Sequence, residues 1–270
     1  MAIRSASSTP TGPSAHPPVP APAPTPRSVV VMAVLALALL VGACATSTAA
    51  PSAAPGEPVD GPAAVPAVAD PVPSPRAEVA RPTTTVEVLD APGGAVSAVL
   101  APTTDYGSAR ALLVVGRHDD LLEVALPTRP NGSTGFIAAD GVEVRQVDLA
   151  VEIDLAARTL VVTDGDDTVV ATTVAIGAPD TPTPTGEFYV TDKLATEDPD
   201  GPYGPFALGL SAHSDVLTEF AGGDGQVGIH GTSTPASIGQ PVSNGCIRVP
   251  NDVATALNDL LPLGTPVVVR

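Results

Sequence analysis

Positive charge is scarce in this sequence. Its 270 residues contain 12 Lys and Arg against 29 Asp and Glu, which gives a formal net charge of −17. A chain this acidic repels nucleic acid and gains nothing from an anionic membrane surface. The charge therefore argues against a nucleic-acid-binding protein, and we expect no nucleic-acid partner, although the charge identifies no substrate.

Aromatic side chains are missing from the first third of the chain, where Pro, Ala, Ser and Thr dominate. Such a stretch cannot bury enough apolar surface to offset the entropy of ordering it. We therefore expect residues 44–82 to form a disordered Pro/Ala-rich linker, with the folded part beginning at residue 83. The remaining residues, about 190, suffice for one moderate domain or two small ones.

Cysteine is almost absent as well, and the two that occur have separate contexts, so we expect no disulfide between them. Cys44 follows the uncharged apolar run Ser28–Ala43, which Arg27 precedes. A helix of this length spans about 24 Å, short of the roughly 30 Å hydrocarbon core of a bilayer. Length and flanking residues therefore favour a secretory signal segment over a stable transmembrane helix.

The run ends on Val41-Gly42-Ala43-Cys44, which resembles the lipobox of bacterial lipoproteins. The resemblance implies that residues 1–43 are a Pro-rich leader with a signal segment, and that Cys44 carries the lipid. The alternative is an uncleaved anchor in which Cys44 occurs by chance. Either way we expect an exported protein, tethered at the outer face of the cytoplasmic membrane or in the cell wall.

Short apolar runs with frequent alternation fill the rest of the chain. Between residues 83 and 147 they are bounded by turn residues, which predicts about five short strands in a small β-barrel-like domain. From residue 148 the alternation sharpens, with strands expected at Leu149–Asp154 and Thr159–Thr163. One helix is predicted near the end, Val253–Leu261, with Asn251 or Asp252 as its cap. The fold class is therefore mainly β with a short C-terminal helix.

Two motifs carry the chemistry of this second part. The first, Gly228–Thr232, places His230 at the end of an apolar run, and the second, Pro241–Val249, places Cys246 after a turn and before another apolar run. A thiol is mostly protonated at neutral pH, and a neighbouring imidazole can accept its proton and later return it to a leaving amine. The pattern indicates a cysteine nucleophile with a histidine base.

At these motifs the sequence resembles the L,D-transpeptidase catalytic domain family of bacterial cell-wall enzymes. The family pattern is His-Gly-Thr, a spacer, then Ser/Thr-His-Gly-Cys followed by an apolar residue and Arg or Asn. The similarity covers residues 148–270 and implies a transpeptidase-type β-sandwich. It also implies that Cys246 attacks the third residue of a peptidoglycan tetrapeptide, releases D-alanine and passes the acyl group to an amine.

Further site residues follow from the same resemblance. Backbone N–H groups of Cys246, Gly245 and Asn244 are expected to hold the oxyanion, and the Gly231 carbonyl to orient the imidazole. Supporting roles are expected for Ser243 and Arg248, and Tyr203 and Phe206 are expected in a loop over the substrate cleft. Asn244 stands where the family usually has His, which puts the rate or the choice of donor in question.

Other interpretations stay open from the sequence alone. They are a hydrolase that uses water as acceptor, and a catalytically weak wall-binding protein. His213 could contact substrate or lie in a surface turn. Neither a cofactor nor a metal is expected.

Overall fold

The computed structural model describes residues 76–220 and 222–270. The predicted signal segment, Cys44 and nearly all of the predicted linker lie outside the described residues. Strands dominate the described part, so the mainly β fold class is confirmed. They form two large sheets within one compact unit.

The first sheet contains seven strands, all paired antiparallel, in the order β3-β2-β6-β5-β4-β1-β7. Their bounds are β1 Ala77–Pro82, β2 Val86–Leu89, β3 Val96–Leu100, β4 Leu112–His118, β5 Leu121–Ala125, β6 Thr134–Ala138 and β7 Val142–Val147. One face of this sheet buries a small core that includes Leu112, Leu122 and Ile137.

Strand β1 corrects the predicted linker, because Ala77–Pro82 was expected to be disordered. It pairs with β7 over six residues, from Ala77 opposite Val147 to Pro82 opposite Val142. Val79 and Ala80 are buried on the way. The local composition did not predict this strand, because the residues that pair with it lie in β4 and β7, more than thirty positions downstream.

The second sheet contains eight strands in the order β10-β9-β8-β17-β12-β13-β14-β16, and β11 and β15 form a separate parallel pair. Their bounds are β8 Leu149–Asp154, β9 Thr159–Asp164, β10 Asp167–Thr173, β11 Ile176–Gly177, β12 Gly186–Ala195, β13 Phe206–His213, β14 Gln226–His230, β15 Pro241–Ser243, β16 Ile247–Arg248 and β17 Pro266–Val269. Two neighbouring pairs, β8 with β17 and β14 with β16, are parallel.

Helix α1 spans Asn251–Leu260 and buries Ala254 and Leu257 in the core of the second sheet. The predicted cap is wrong. Pro250 holds the cap position without a side-chain bond, and the Asn251 Oδ1 instead accepts the N–H of Thr232 at 2.7 Å. In the described ranges, no helix has the length and apolarity to cross a membrane.

One strand of the second sheet contributes side chains to the cores of both sheets. On β12, Phe188 and Val190 pack into the core of the second sheet, whereas Tyr189 between them is fully buried in the core of the first. Its hydroxyl donates to the carbonyl of Ala125 at 3.1 Å, and burial raises the pKa of this phenol. The predicted boundary at residue 148 separates the two sheets, but β12 contributes to both cores.

Candidate active site

The two predicted catalytic residues lie at the ends of neighbouring strands. His230 is the last residue of β14, and Cys246 directly precedes β16. The strands pair in parallel with Ile229 opposite Ile247, both fully buried, which sets Cys246 beside Gly228. Since side chains alternate along a strand, His230 and Cys246 face away from that core. Both line one cleft of about 380 Å³.

The environment of His230 leaves one ring nitrogen free to accept a proton. Nδ1 lies 2.6 Å from the carbonyl oxygen of Gly231, and a carbonyl can only accept, so Nδ1 carries the hydrogen. Burial, helped by the charge of Arg248 and opposed by the bond to Gly231, lowers the pKa of His230 to about 4. The imidazole is therefore neutral at neutral pH, with Nε2 as a base.

The thiol of Cys246 is a half-buried free cysteine. Burial raises its pKa, and a hydrogen bond with the backbone of Gly228 and the charge of Arg248 act in the opposite direction. With the thiol pKa raised and the imidazole pKa lowered, the resting pair is neutral on both sides. In this resting state the proton therefore lies on sulfur, and the imidazole Nε2 is unprotonated.

A closed set of hydrogen bonds shapes the turn before the nucleophile. The Ser243 hydroxyl accepts the N–H of Gly245 at 3.1 Å and donates to the carbonyl of Cys246 at 2.5 Å. Gly245 has a φ of +112°, a conformation that residues with a Cβ rarely adopt. Ser243 is only 2% exposed, so it fixes the turn from the inside.

This turn changes the set of expected oxyanion donors. The Gly245 N–H donates to the Ser243 hydroxyl, so it is not free to hold the oxyanion, and the expectation from the sequence is wrong for this amide. In the described part of the chain, the N–H groups of Asn244 and Cys246 donate no hydrogen bond. The turn therefore presents the amides of residues 244 and 246 as the free donors.

The Pro-rich loop after β11 holds the same turn from the other side. Thr181 Oγ1 donates to the carbonyl of Ser243, and Thr183 Oγ1 donates to that of Gly245, both at 2.9 Å. Thr183 Oγ1 also accepts the N–H of Gly177 at 2.9 Å. Nothing in the local sequence indicates that the two threonines of this loop support the turn before Cys246.

The two remaining residues around the motif differ in burial. Arg248 exchanges backbone hydrogen bonds with Ala175 at 2.9 Å, and its Nε is buried without a partner among the described residues. Its charge acts on both His230 and Cys246. The side chain of Asn244 is exposed and does not line the cleft.

Of the two residues expected in the substrate loop, only Tyr203 lines the cleft. Its ring centroid lies 4.8 Å from that of His230. Phe206 instead opens β13 and contributes a backbone carbonyl, which accepts the N–H of Gly231 at 3.3 Å. Tyr203 is therefore the aromatic neighbour of the imidazole, and the expectation for Phe206 is corrected.

The suggestion of a surface turn at His213 is also wrong, because this side chain is 4% exposed at the end of β13. Its Nε2 lies 2.9 Å from Asp224 Oδ2, and its backbone exchanges hydrogen bonds with the side chain of Asn131. Nδ1 is buried without a partner in the described part of the chain.

The sequence did not indicate that two further residues, Asp192 and Tyr106, line the cleft. Asp192 lies in β12, and Tyr106 comes from the connection between β3 and β4. Each is separated from the motifs by more than thirty residues, so strand register brings Asp192 to the site and the path of a loop brings Tyr106 there. Across residues 76–220 and 222–270, no group of three potential ligands could hold a metal ion.

Comparison with known proteins shows what the second part of the chain is similar to. Residues 148–269 match the family described as the L,D-transpeptidase catalytic domain, YkuD. The match covers less than half of the chain and falls on the part in which the motifs predicted this similarity.

Two relatives from Bacillus subtilis strain 168 are named as L,D-transpeptidases. YkuD is 35% identical over 120 residues, which is 44% of this chain and 65% of the relative. YqjB is 39% identical over 107 residues, which is 36% of this chain and 56% of the relative. The chain spans less than two thirds of the length of these two relatives.

Solved structures give weaker matches. An Enterococcus faecium L,D-transpeptidase with a cysteine-to-serine mutation is 24% identical, with a TM-score of 0.37 over 46% of this chain and 50% of that one. A Mycobacterium smegmatis L,D-transpeptidase is 16% identical, with a TM-score of 0.39 over 73% of this chain and 100% of that one.

Proposed function

We propose that this protein transfers acyl groups between peptidoglycan stem peptides, with Cys246 as nucleophile and His230 as base. The observation that carries the proposal is the placement of both side chains in one cleft, at the ends of paired strands, with the imidazole Nε2 free. The family of residues 148–269 supports the reaction class.

In the first half-reaction the Cys246 sulfur bonds to the carbonyl carbon of the third stem residue while its proton passes to Nε2 of His230. Backbone N–H groups of Cys246 and Asn244 hold the oxyanion. As the carbonyl reforms, the bond to the terminal D-alanine breaks, and the imidazolium returns the proton to the departing amine. The product is a thioester on Cys246.

In the second half-reaction a side-chain amine of another stem attacks the thioester. His230 takes a proton from the attacking nitrogen and gives it to the departing sulfur, so that the neutral pair is restored. Tyr203 covers the imidazole on one side and limits the access of water, since its ring packs against that of His230. A 3→3 cross-link or attachment to another amine-bearing protein results.

We also propose that the protein is exported and held at the outer face of the membrane through lipid on Cys44. The support is the signal-like run and the lipobox resemblance of residues 41–44. Labelling of cells with a tagged palmitate tests the proposal. Label on the wild-type protein and none on Cys44→Ser supports the anchor, and equal labelling of both contradicts it.

The chemistry is tested by incubating the purified full-length protein with a carbapenem and measuring its intact mass. The strained lactam carbonyl acylates a reactive thiol, so we expect a covalent adduct on the wild type. The protein's other cysteine provides the matched control: Cys44→Ser keeps the adduct and Cys246→Ala loses it. The absence of an adduct on the wild type at neutral pH would overturn the proposal.

The acceptor is tested with a tetrapeptide donor, with and without an amine-bearing stem peptide. A transferase forms cross-linked product when the amine is present. Release of tripeptide that the amine does not suppress would identify a hydrolase. No turnover in either mixture would leave only a wall-binding role and contradict the proposed transfer.

A further inference from the structure

A single row across four adjacent strands joins Asp192 to the nucleophile. Asp192 on β12 pairs with Gly209 on β13, Gly209 pairs with Gly228 on β14, and Cys246 lies beside Gly228 at the start of β16. Neighbouring strands are about 4.8 Å apart, so three steps set the backbones of Asp192 and Cys246 roughly 14 Å apart. All four residues line the cleft.

The two positions between the carboxylate and the thiol are both glycine. A Cβ added to Gly209 would come within 3.2 Å of the Asp192 carboxylate, and one added to Gly228 within 2.9 Å of the Leu208 carbonyl. Any larger residue there would therefore fill the floor of the cleft. The row forms an open trough that runs across the strands from Cys246 to Asp192.

The carboxylate at the far end of this trough is 2% exposed. It accepts one hydrogen bond among the described residues, from Thr104 Oγ1 at 2.5 Å. None of the ion pairs within 4.0 Å in the described ranges includes Asp192. A carboxylate has about four acceptor sites, and a buried one without a cation is costly. Asp192 therefore has unused capacity for a cationic donor.

A second cavity of about 460 Å³ adjoins this end of the trough and shares Tyr106, Asp192 and Gln226 with the cleft. Asp105 and Asp224 add acidic groups to its lining, and Arg110 adds one basic group, whose guanidinium donates to the carbonyls of Ala101 and Thr103. His213 also lines it and has a buried Nδ1 with no partner in the described part of the chain. Because three carboxylates face one guanidinium that is already hydrogen-bonded to backbone, the lining favours a cationic ligand.

We propose that Asp192 binds a primary ammonium group of the peptide substrate and thereby selects amine-bearing stems. The inference rests on the proposed function, because the trough gives the ammonium a fixed separation from the carbonyl that Cys246 attacks. The amine can belong to the third residue of the donor or to the acceptor, and both present the same chemistry to Asp192. Thr104, in the connection between β3 and β4, positions the carboxylate.

The test compares the full-length wild type with Asp192→Asn, which keeps the side-chain shape and the acceptor oxygen for Thr104. Asp167→Asn, an exposed change of the same kind on β10, is the matched control. In the donor arm, D-alanine release is measured for a tetrapeptide with a free side-chain amine and for the same peptide acetylated there. In the acceptor arm, transfer is measured to stem peptides with one or two amines.

We expect Asp192→Asn to lower kcat/KM at least tenfold for the donor with the free side-chain amine or for the acceptor with two amines, chiefly through KM. The acetylated donor and the acceptor with one amine should be unchanged. Loss confined to the donor arm places the ammonium on the donor, and loss confined to the acceptor arm places it on the acceptor. Unchanged discrimination in both arms overturns the inference.

Acylation by a penem without a cationic substituent separates this inference from the proposed function. Equal adduct formation on the wild type, Asp192→Asn and Asp167→Asn shows that the Cys246 and His230 pair is intact while amine selection is tested. An absent adduct on the wild type counts against the pair itself. A slow adduct on Asp192→Asn alone would show that Asp192 acts on the pair rather than on the amine, and would also overturn the inference.

Discussion

The first sheet pairs every strand antiparallel, whereas the second contains two parallel pairs, and the candidate active site lies at one of them. Antiparallel neighbours can be joined by tight turns, but a parallel pair needs a connection that carries the chain back to the starting end of the sheet. Between β14 and β16 that connection begins just after His230 and ends at Cys246. The difference shows how two residues sixteen positions apart come to share a cleft.

The largest effect is expected from removing the base, with the same change in the first sheet as control. We expect His230→Gln to slow carbapenem acylation by about 10²–10⁴-fold, the usual contribution of a general base. His118→Gln alters an exposed side chain that contacts Glu123 at 3.2 Å, and its rate should match the wild type. Adduct formation followed over time by intact mass gives both rates. Equal slowing of both variants would show that His230 has no special role in acylation compared with the exposed His118.

The next largest effect is expected when a serine hydroxyl that makes hydrogen bonds is removed from each of the two sheets. Ser243→Ala leaves the Gly245 N–H and the Cys246 carbonyl without their partner in a buried turn, which should cost about 1–3 kcal/mol of unfolding free energy. Ser97→Ala removes one bond from an exposed hydroxyl to the carbonyl of Val88, and we expect less than about 0.5 kcal/mol.

Urea unfolding of the two serine variants measures these costs, and the acylation rate provides a second readout. We expect Ser243→Ala to slow acylation because the turn that carries Cys246 loses its internal support. If the two variants lose equal stability and keep equal rates, Ser243 does not shape the nucleophile turn.

The pH dependence of acylation tests the buried setting of His230. Its neutral form is the base, and burial lowers its pKa to about 4, so activity should fall only as the pH drops through about 4. A histidine of ordinary pKa, about 6.5, would retain roughly a tenth of its neutral form at pH 5.5. We therefore expect protonation of His230 to change the acylation rate by less than about twofold between pH 7 and pH 5.5. A fall near pH 6.5 would contradict this.

The free energy of unfolding should also depend on the protonation of His230. The folded pKa of His230 lies below its unfolded value, so the unfolded chain binds more protons between about pH 6.5 and pH 4. The contribution of this burial to folding is therefore complete above about pH 6.5 and is lost as the pH falls towards about 4. Unfolding midpoints of the wild type and His230→Gln should converge over that range.

Local patterns were sufficient for the parts of the fold that have a local cause. Alternation placed Leu149–Asp154 at the observed bounds, and apolar periodicity found helix α1 to within two residues. The motifs predicted the similarity of residues 148–269 to the L,D-transpeptidase catalytic domain because their residue types and spacing are themselves the signature.

Features fixed by register or by distant partners could not be predicted. Strand β1 was missed because its ladder partners lie in β4 and β7. Asp192 gained a place in the site only through the pairing of β12 with β13 and of β13 with β14. The Gly245 amide was assigned to the oxyanion because nothing local shows that Ser243 occupies it.

The smallest effect is expected where the sequence departs from the family, at Asn244. Its side chain is exposed, makes no hydrogen bond among the described residues and does not line the cleft. Asn244→His should therefore change the acylation rate by less than about threefold and the unfolding free energy by less than about 0.5 kcal/mol.

The same substitution distinguishes a backbone role at residue 244 from a side-chain role. If only the N–H of residue 244 meets the oxyanion, any residue that keeps the turn will serve, and Asn244→Ala should behave like Asn244→His. An increase of tenfold or more for His alone, with a new acid limb near the ordinary imidazole pKa, would instead assign chemistry to that side chain. The site would then depend on an exposed turn as well as on the parallel strand pair.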